Sequence, residues 1–229
     1  GKDNMATTAQ QLYTNTLVPV LDGEQIPTDL ALALFNIAKT TIEQERPWRF
    51  LMKEDSSQTV NSANTYLTMK TLPADFNLDV MVFVGSSLVE YLPIPFEQRR
   101  QYQNTGRHYY IDLAAAQFSI TGAVSESSTV FFNYAMFTAL LATMTESFDT
   151  RWPDRFILLI GFLAAAMFRG GTDFDDANAR MSEGNRAAAL ALKSSMVSWD
   201  ARLNLKARAN STRPPIIDLT KEPKMPRIY

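Results

Sequence analysis

The hydrophobic period of this chain changes twice, and any fold it adopts has to honour both changes. Between about Thr7 and Pro47 the apolar residues recur at helical spacing. Leu12, Leu17 and Leu21 mark a short first segment that contains Pro19 and ends at Asp22-Gly23. Pro27-Thr28-Asp29 then starts a clearer helix, with Leu30, Leu34, Ile37, Ala38, Thr41 and Ile42 on its apolar side and Asn36, Lys39, Thr40 and Glu43 opposite. From Trp48 to about Phe137 the period falls to near two. Tyr66 to Lys70, Val80 to Val84, Tyr109 to Leu113 and Thr129 to Tyr134 are predicted strands, separated by turn signals at Pro73, Gly85, Pro93 to Pro95, Gly106 and Gly122. The polar stretch Phe96 to Gln103 predicts one or two helical turns among them.

Helical spacing returns after Trp152-Pro153-Asp154, where proline suits a first turn and the acid favours the positive end of the helix dipole. This helix is expected to end at Gly170-Gly171, and Gly161 with Ala164 to Ala166 leaves its surface small enough for another helix to approach closely. A last helix runs from near Thr172-Asp173 to about Ala207. Phe174, Ala177, Met181, Ala188, Leu192, Met196, Trp199 and Leu203 form its apolar stripe, and Arg180, Glu183, Arg186, Lys193 and Asp200 lie off it. The fold class expected from this order is α+β, a helical bundle of about four helices with a β-rich insert and an extended C-terminal arm. The helical domain takes residues 7–47 and 150–208, the insert 48–145 and the arm 209–229.

Composition narrows the chemistry. The 229 residues include no cysteine and one histidine, His108. Disulfides, thiolate metal sites, a cysteine nucleophile and multi-histidine metal centres are therefore excluded, and a Ser-His-Asp triad would have to run through His108. No metal or other cofactor is expected. The longest apolar run, Phe156 to Phe168, has 13 residues, against the roughly 20 that a membrane-crossing helix needs. Neither a membrane span nor a secretory signal is expected. Charge is divided unevenly: residues 1–201 sum to −7 and residues 202–229 to +5. An acidic body argues against wrapping DNA, and a basic tail suits a negative partner.

Few residues invite catalysis. Asp173, Asp175 and Asp176 are clustered oxygens of the kind calcium takes, but a calcium loop of the EF-hand type would need glycine at 178 and glutamate at 184, where Asn178 and Gly184 stand. Acids complementing a helix N-terminus is the simpler reading. Arg99, Arg100 and Arg107 with Tyr102 could touch a phosphate backbone, although a solvated loop accounts for them as well. Beyond Asn210, Pro214, Pro215, Pro223 and Pro226 exclude a helix, while Ile216, Ile217 and Leu219 would be left in water unless they dock.

Taken in order, the segments resemble one family. A helix leads into Glu45-Arg46-Pro47-Trp48-Arg49-Phe50-Leu51. A β insert follows, with Thr71-Leu72-Pro73-Ala74-Asp75-Phe76 and a Tyr109-Tyr110 strand. Trp152-Pro153-Asp154-Arg155-Phe156 then starts a helix, and a long Ala-rich helix comes last. Over roughly residues 7 to 208 this resembles the head-to-tail adaptor proteins of tailed bacteriophages.

The resemblance implies a non-enzymatic virion protein at the neck between head and tail, present in the host cytoplasm during assembly. It implies a ring, commonly of twelve copies, fixed beneath the portal protein. Such a ring extends the DNA channel without sequence-specific binding and offers a platform to the tail nozzle or tail tube. A distal tail or minor capsid component is the nearest alternative. A carbohydrate-acting enzyme, built on carboxylates such as Glu90, Glu97 and Asp112, is the remote one. Two candidate sites follow. Asp173, Asp175, Asp176 and Glu183 are expected to face the channel, because an acidic lumen lets a polyanion slide. Pro214, Pro215, Ile216, Ile217, Leu219, Lys221, Lys224 and Arg227 are expected to form the arm that binds the portal or a neighbouring subunit.

Overall fold

A computed structural model describes residues 7–60, 70–102, 106–122, 128–172 and 176–210. The chain opens with α1 (Ala9–Leu12), whose Thr8 cap and Gln11 satisfy each other's backbone amides in a capping box. It continues without a break as a π-helical segment, Tyr13–Leu17, and a last turn, α2 (Val18–Val20). Pro19 does not end the helix. It lies in the first turn of α2, and the wider π spacing, with the Val18 amide donating to the Tyr13 carbonyl, absorbs the donor that proline removes. Then come α3 (Thr28–Gln44), seven strands among the described residues, α4 (Asp154–Thr172) and α5 (Asp176–Asn210).

The fold is mixed, with a curled sheet packed against the helices, which corrects the expectation of a helical bundle carrying a β insert. The strands are β1 (Met52–Val60), β2 (Lys70–Thr71), β3 (Phe76–Val84), β4 (Val89–Pro93), β5 (His108–Asp112), β6 (Gln117–Ile120) and β7 (Ser128–Met136). They lie in the order β1-β7-β3-β4-β5-β6-β2, antiparallel except for the β4–β5 pair. The sheet curls on itself. On a flat sheet, β6 and β7 would lie about 19 Å apart, four strand spacings away, yet the rings of Phe118 on β6 and Phe132 on β7 stack with centroids 4.8 Å apart. Irregular register between Asp55 and Gln58 in β1, and at two places in β3, supplies bends of the kind that curvature requires. Val82, Tyr109, Phe118, Val130, Phe132 and Tyr134 fill the inside of the curl and are continuous with the buried side chains of the helices in one hydrophobic core. The bundle expectation fails because the sheet curls round aromatic side chains and supplies much of the core, instead of lying beside the helices as an insert.

The strands expected at Val80, Tyr109 and Thr129 are present within β3, β5 and β7. Most of the expected Tyr66 strand lies outside the described residues, with Lys70 beginning β2. The expected turns after Phe96 form one short 3₁₀ turn, Phe96–Gln98. On the helical side α4 runs through Gly170-Gly171 to Thr172 instead of stopping there. A Cβ on Gly170 would lie 3.3 Å from the Ser182 hydroxyl, which donates to the Ala166 carbonyl at 2.9 Å, so this glycine admits α5 rather than ending α4. Gly161 does the same for the π segment, since a Cβ there would lie 2.8 Å from the Thr16 methyl. Among the described residues no helix is long and apolar enough to cross a membrane.

Candidate functional site

The motifs that carry the resemblance converge at the junction of sheet and helices. Lys39 and Glu43 of α3 are buried, at 1% and 0% exposure, although the helical pattern assigns them to the polar side. They are tied to one residue that follows β7. Lys39 Nζ donates to the carbonyl and hydroxyl of Thr138, both at 2.8 Å, and the Thr138 hydroxyl donates in turn to Glu43 Oε1. Trp152 Nε1, just before α4, donates to the same Oε1 at 3.1 Å, and Asn77 of β3 donates to the Glu43 carbonyl at 2.7 Å. Burial pushes the Lys39 ammonium below its ordinary range, with Glu43 pulling the other way. Both groups are sealed from any solute, so the cluster acts as a joint between α3, the sheet and α4.

A second joint holds α5. Asp200, expected on the polar side of the last helix, is fully buried, and its Oδ1 accepts the Arg49 amide at 2.7 Å. Burial raises its pKa, opposed by the Arg49 amide and by Arg46, whose guanidinium lies 3.8 Å away. Around it Phe50 packs edge-on against Trp152 and beside Trp48 and Trp199, and Arg155 lies over Phe156 and Trp199. In the Leu72-Pro73-Ala74-Asp75-Phe76 turn, Asp75 accepts hydrogen bonds from Lys53 Nζ at 2.7 Å and the Tyr134 hydroxyl at 2.6 Å. Burial would raise the Asp75 pKa, but these donors outweigh it and hold the carboxyl below its usual value. The motifs around Trp48, Asp75 and Trp152 are thus architectural, fastening helices and a turn to one another and to the sheet.

The surface on which another molecule could act is an apolar groove between α3, α4 and α5, of about 300 Å³. Its floor is small, with Ala166 and Ala189 beside Leu159, and Leu163, Met167 and Leu190 stand along it. Small residues let α4 and α5 approach while the longer ones line the margins. The rim is charged, with Lys193 paired to Glu45 at 2.9 Å and Arg186 close by. Thr41, also lining the groove, continues the α3 stripe of Leu30, Leu34 and Ile37 at helical spacing. Leu30, Ile37 and Leu190 are 40%, 54% and 57% exposed. The inward face of α3 is thus rotated from the expected one: Ala38 and Ile42 are buried as expected, but Ala31, Phe35, Lys39 and Glu43 join them while Leu30 and Ile37 are exposed. The available signal was an apolar count too high for one face: Phe35, Ala38 and Ile42 on one side, with Leu30, Leu34 and Ile37 on the other.

The expected site residues fall elsewhere. Asp173 and Asp175 and the arm residues Pro214, Pro215, Ile216, Ile217, Leu219, Lys221, Lys224 and Arg227 lie outside the described residues, and Asp176 is the first residue of α5. Glu183 is exposed and lines a neighbouring, more polar cavity of about 690 Å³ with Arg169, sharing Arg186 and Leu190 with the groove. His108 begins β5, half-buried against the Tyr102 ring. Arg99 is held over Phe96 and donates to its carbonyl. Glu90 lies on β4, Glu97 in the 3₁₀ turn and Asp112 at the end of β5, where it accepts the Ala115 amide. Among the described residues no three His, Cys, Asp or Glu side chains gather as a metal site would require. No family model matches this chain, and no curated protein matches its sequence.

Proposed function

We propose that this protein is a structural subunit, without enzymatic activity, of a ring between the portal and the tail of a phage particle. About twelve copies close the ring, which extends the DNA channel and gives the tail its platform. The observation that carries this reading is that large aliphatic side chains are exposed on well-separated parts of the subunit, two of these parts being the helical side and the sheet. Leu190 and Ile37 lie at the helical groove and its α3 stripe, and Leu92 and Leu113 at β4 and the β5–β6 turn are 55% and 73% exposed. A head-to-tail ring needs two different surfaces on every copy. The order of the motifs over residues 7 to 208 supports the same reading, and so does their architectural use. The −7 body suits a lumen through which DNA slides, with Asp173, Asp175, Asp176 and Glu183 as the residues facing it.

The test is a cryo-microscopy map of the particle vertex together with a portal-binding assay. Density for this chain directly beneath the portal is expected, and a chain ending at Asn210 should keep its circular dichroism while losing portal binding. Density confined to the distal tail, or undiminished binding by the shortened chain, would overturn the assignment.

A further inference from the structure

We infer that the groove between α3, α4 and α5 receives Ile216-Ile217-Asp218-Leu219 from a second copy of this chain. The inference rests on reading the protein as a ring subunit. The groove is apolar along Leu159, Leu163, Met167 and Leu190, with Arg186 among its lining residues and Lys193 paired to Glu45 on the rim. The segment presents three branched aliphatic side chains and one acid, a match in both polarity and charge. A cavity of about 300 Å³ lies at the lower end of what encloses a small ligand, the scale of a few side chains rather than a folded domain.

Reach decides that the donor is another copy. The segment follows α5, which ends at Asn210. At 1.5 Å per helical residue, Lys193 at the near end of the groove lies about 26 Å back along the helix from that end, and Leu190 about 30 Å. Six residues, fully extended, bring Ile216 no further than about 22 Å, and seven bring Ile217 no further than about 25 Å. Leu219 alone, at about 32 Å, gets as far as Leu190, and with no slack. The three side chains cannot fill the groove of their own subunit together, but a neighbour's groove is not tied to that helix axis. Pro214 and Pro215 stiffen the intervening stretch and so reduce the ordering that docking requires. In a ring each copy would give one segment and receive one, and the arms would act together in holding it closed.

The absence of cysteine permits a clean experiment. Thr41→Cys, on the groove rim, and Thr220→Cys, next to the segment, are introduced into separate full-length chains, which are mixed and mildly oxidised. A disulfide-linked dimer of one Thr41→Cys and one Thr220→Cys chain is expected. Pairing Thr220→Cys with Leu113→Cys, on the exposed β5–β6 turn, should give at least tenfold less, and adding Leu190→Asp to the groove partner should abolish the product. When both cysteines are in one chain, the products should be linked between chains. No mixed dimer, equal linking to Leu113→Cys, indifference to Leu190→Asp, or a link within one chain would each overturn the inference. Linking without portal binding would retain the inference and remove the neck assignment. Portal binding without linking would do the reverse.

Discussion

The Glu43 carboxylate joins Lys39 of α3, Thr138 after β7 and Trp152 before α4, and the carbonyl of the same residue accepts Asn77 of β3. Glu43→Leu strands the Lys39 ammonium without its counter-charge and should cost about 3–5 kcal/mol. Lys39→Met with Glu43→Leu should lose clearly less than the two single losses added together, as urea denaturation would show; strict additivity would mean that the pair does not act as a unit. Asp75 makes a pH-dependent contribution. Its folded pKa is depressed, so the stability it adds is present above the ordinary carboxylate value of 3.8 and is lost as pH falls through the lower folded value. Tyr134→Phe removes one of the donors responsible. The acid-unfolding midpoint, followed by circular dichroism, should then move to higher pH, and an unchanged midpoint would assign the depression to Lys53 alone.

Between elements, close approach at Gly161 sets how the π segment crosses α4. Alanine favours a helix by about 1 kcal/mol over glycine, but here its methyl would overlap the stiff Thr16 side chain at 2.8 Å and also crowd Leu12 at 3.1 Å. Gly161→Ala should therefore be destabilising by about 1–3 kcal/mol. Adding Thr16→Ser removes the overlapping methyl and should restore a good part of the loss; thermal melts of the two variants would decide. The existence and type of α3, α4, α5, β3, β5 and β7 were legible from periodicity. β1, with its run Lys53-Glu54-Asp55-Ser56-Ser57-Gln58, has no apolar alternation to announce it. Among the described residues it stands at the end of the strand order, gains its order from pairing with β7, and carries charges that suit an edge.

At the scale of the whole molecule the groove offers little apolar area, so self-association through it alone is weak and closing a ring takes a template. The isolated chain in dilute solution should be a monomer or a loose oligomer, becoming a closed ring when portal is supplied. Light scattering over a concentration series checks this, and a stable twelve-copy ring without portal would contradict it. Contacts of this apolar kind should also hold as salt is raised, whereas contacts carried by Lys221, Lys224 and Arg227 would weaken.

Local chemistry was enough to determine that helices flank a strand-rich middle, that no thiol or multi-histidine chemistry is available, and that charge divides between body and tail. Each follows from residue spacing or simple counting within one segment. Tertiary structure alone decided which face of α3 is inside, that Asp200 is buried, and that the sheet curls until Phe118 meets Phe132. Helical periodicity marks stripes but does not say which stripe meets a neighbour. A polar side chain becomes interior only when partners distant in sequence, such as Thr138 and Trp152 for Glu43 or the Arg49 amide for Asp200, arrive to satisfy it. The groove is likewise a property of three helices together, since none of them carries it alone.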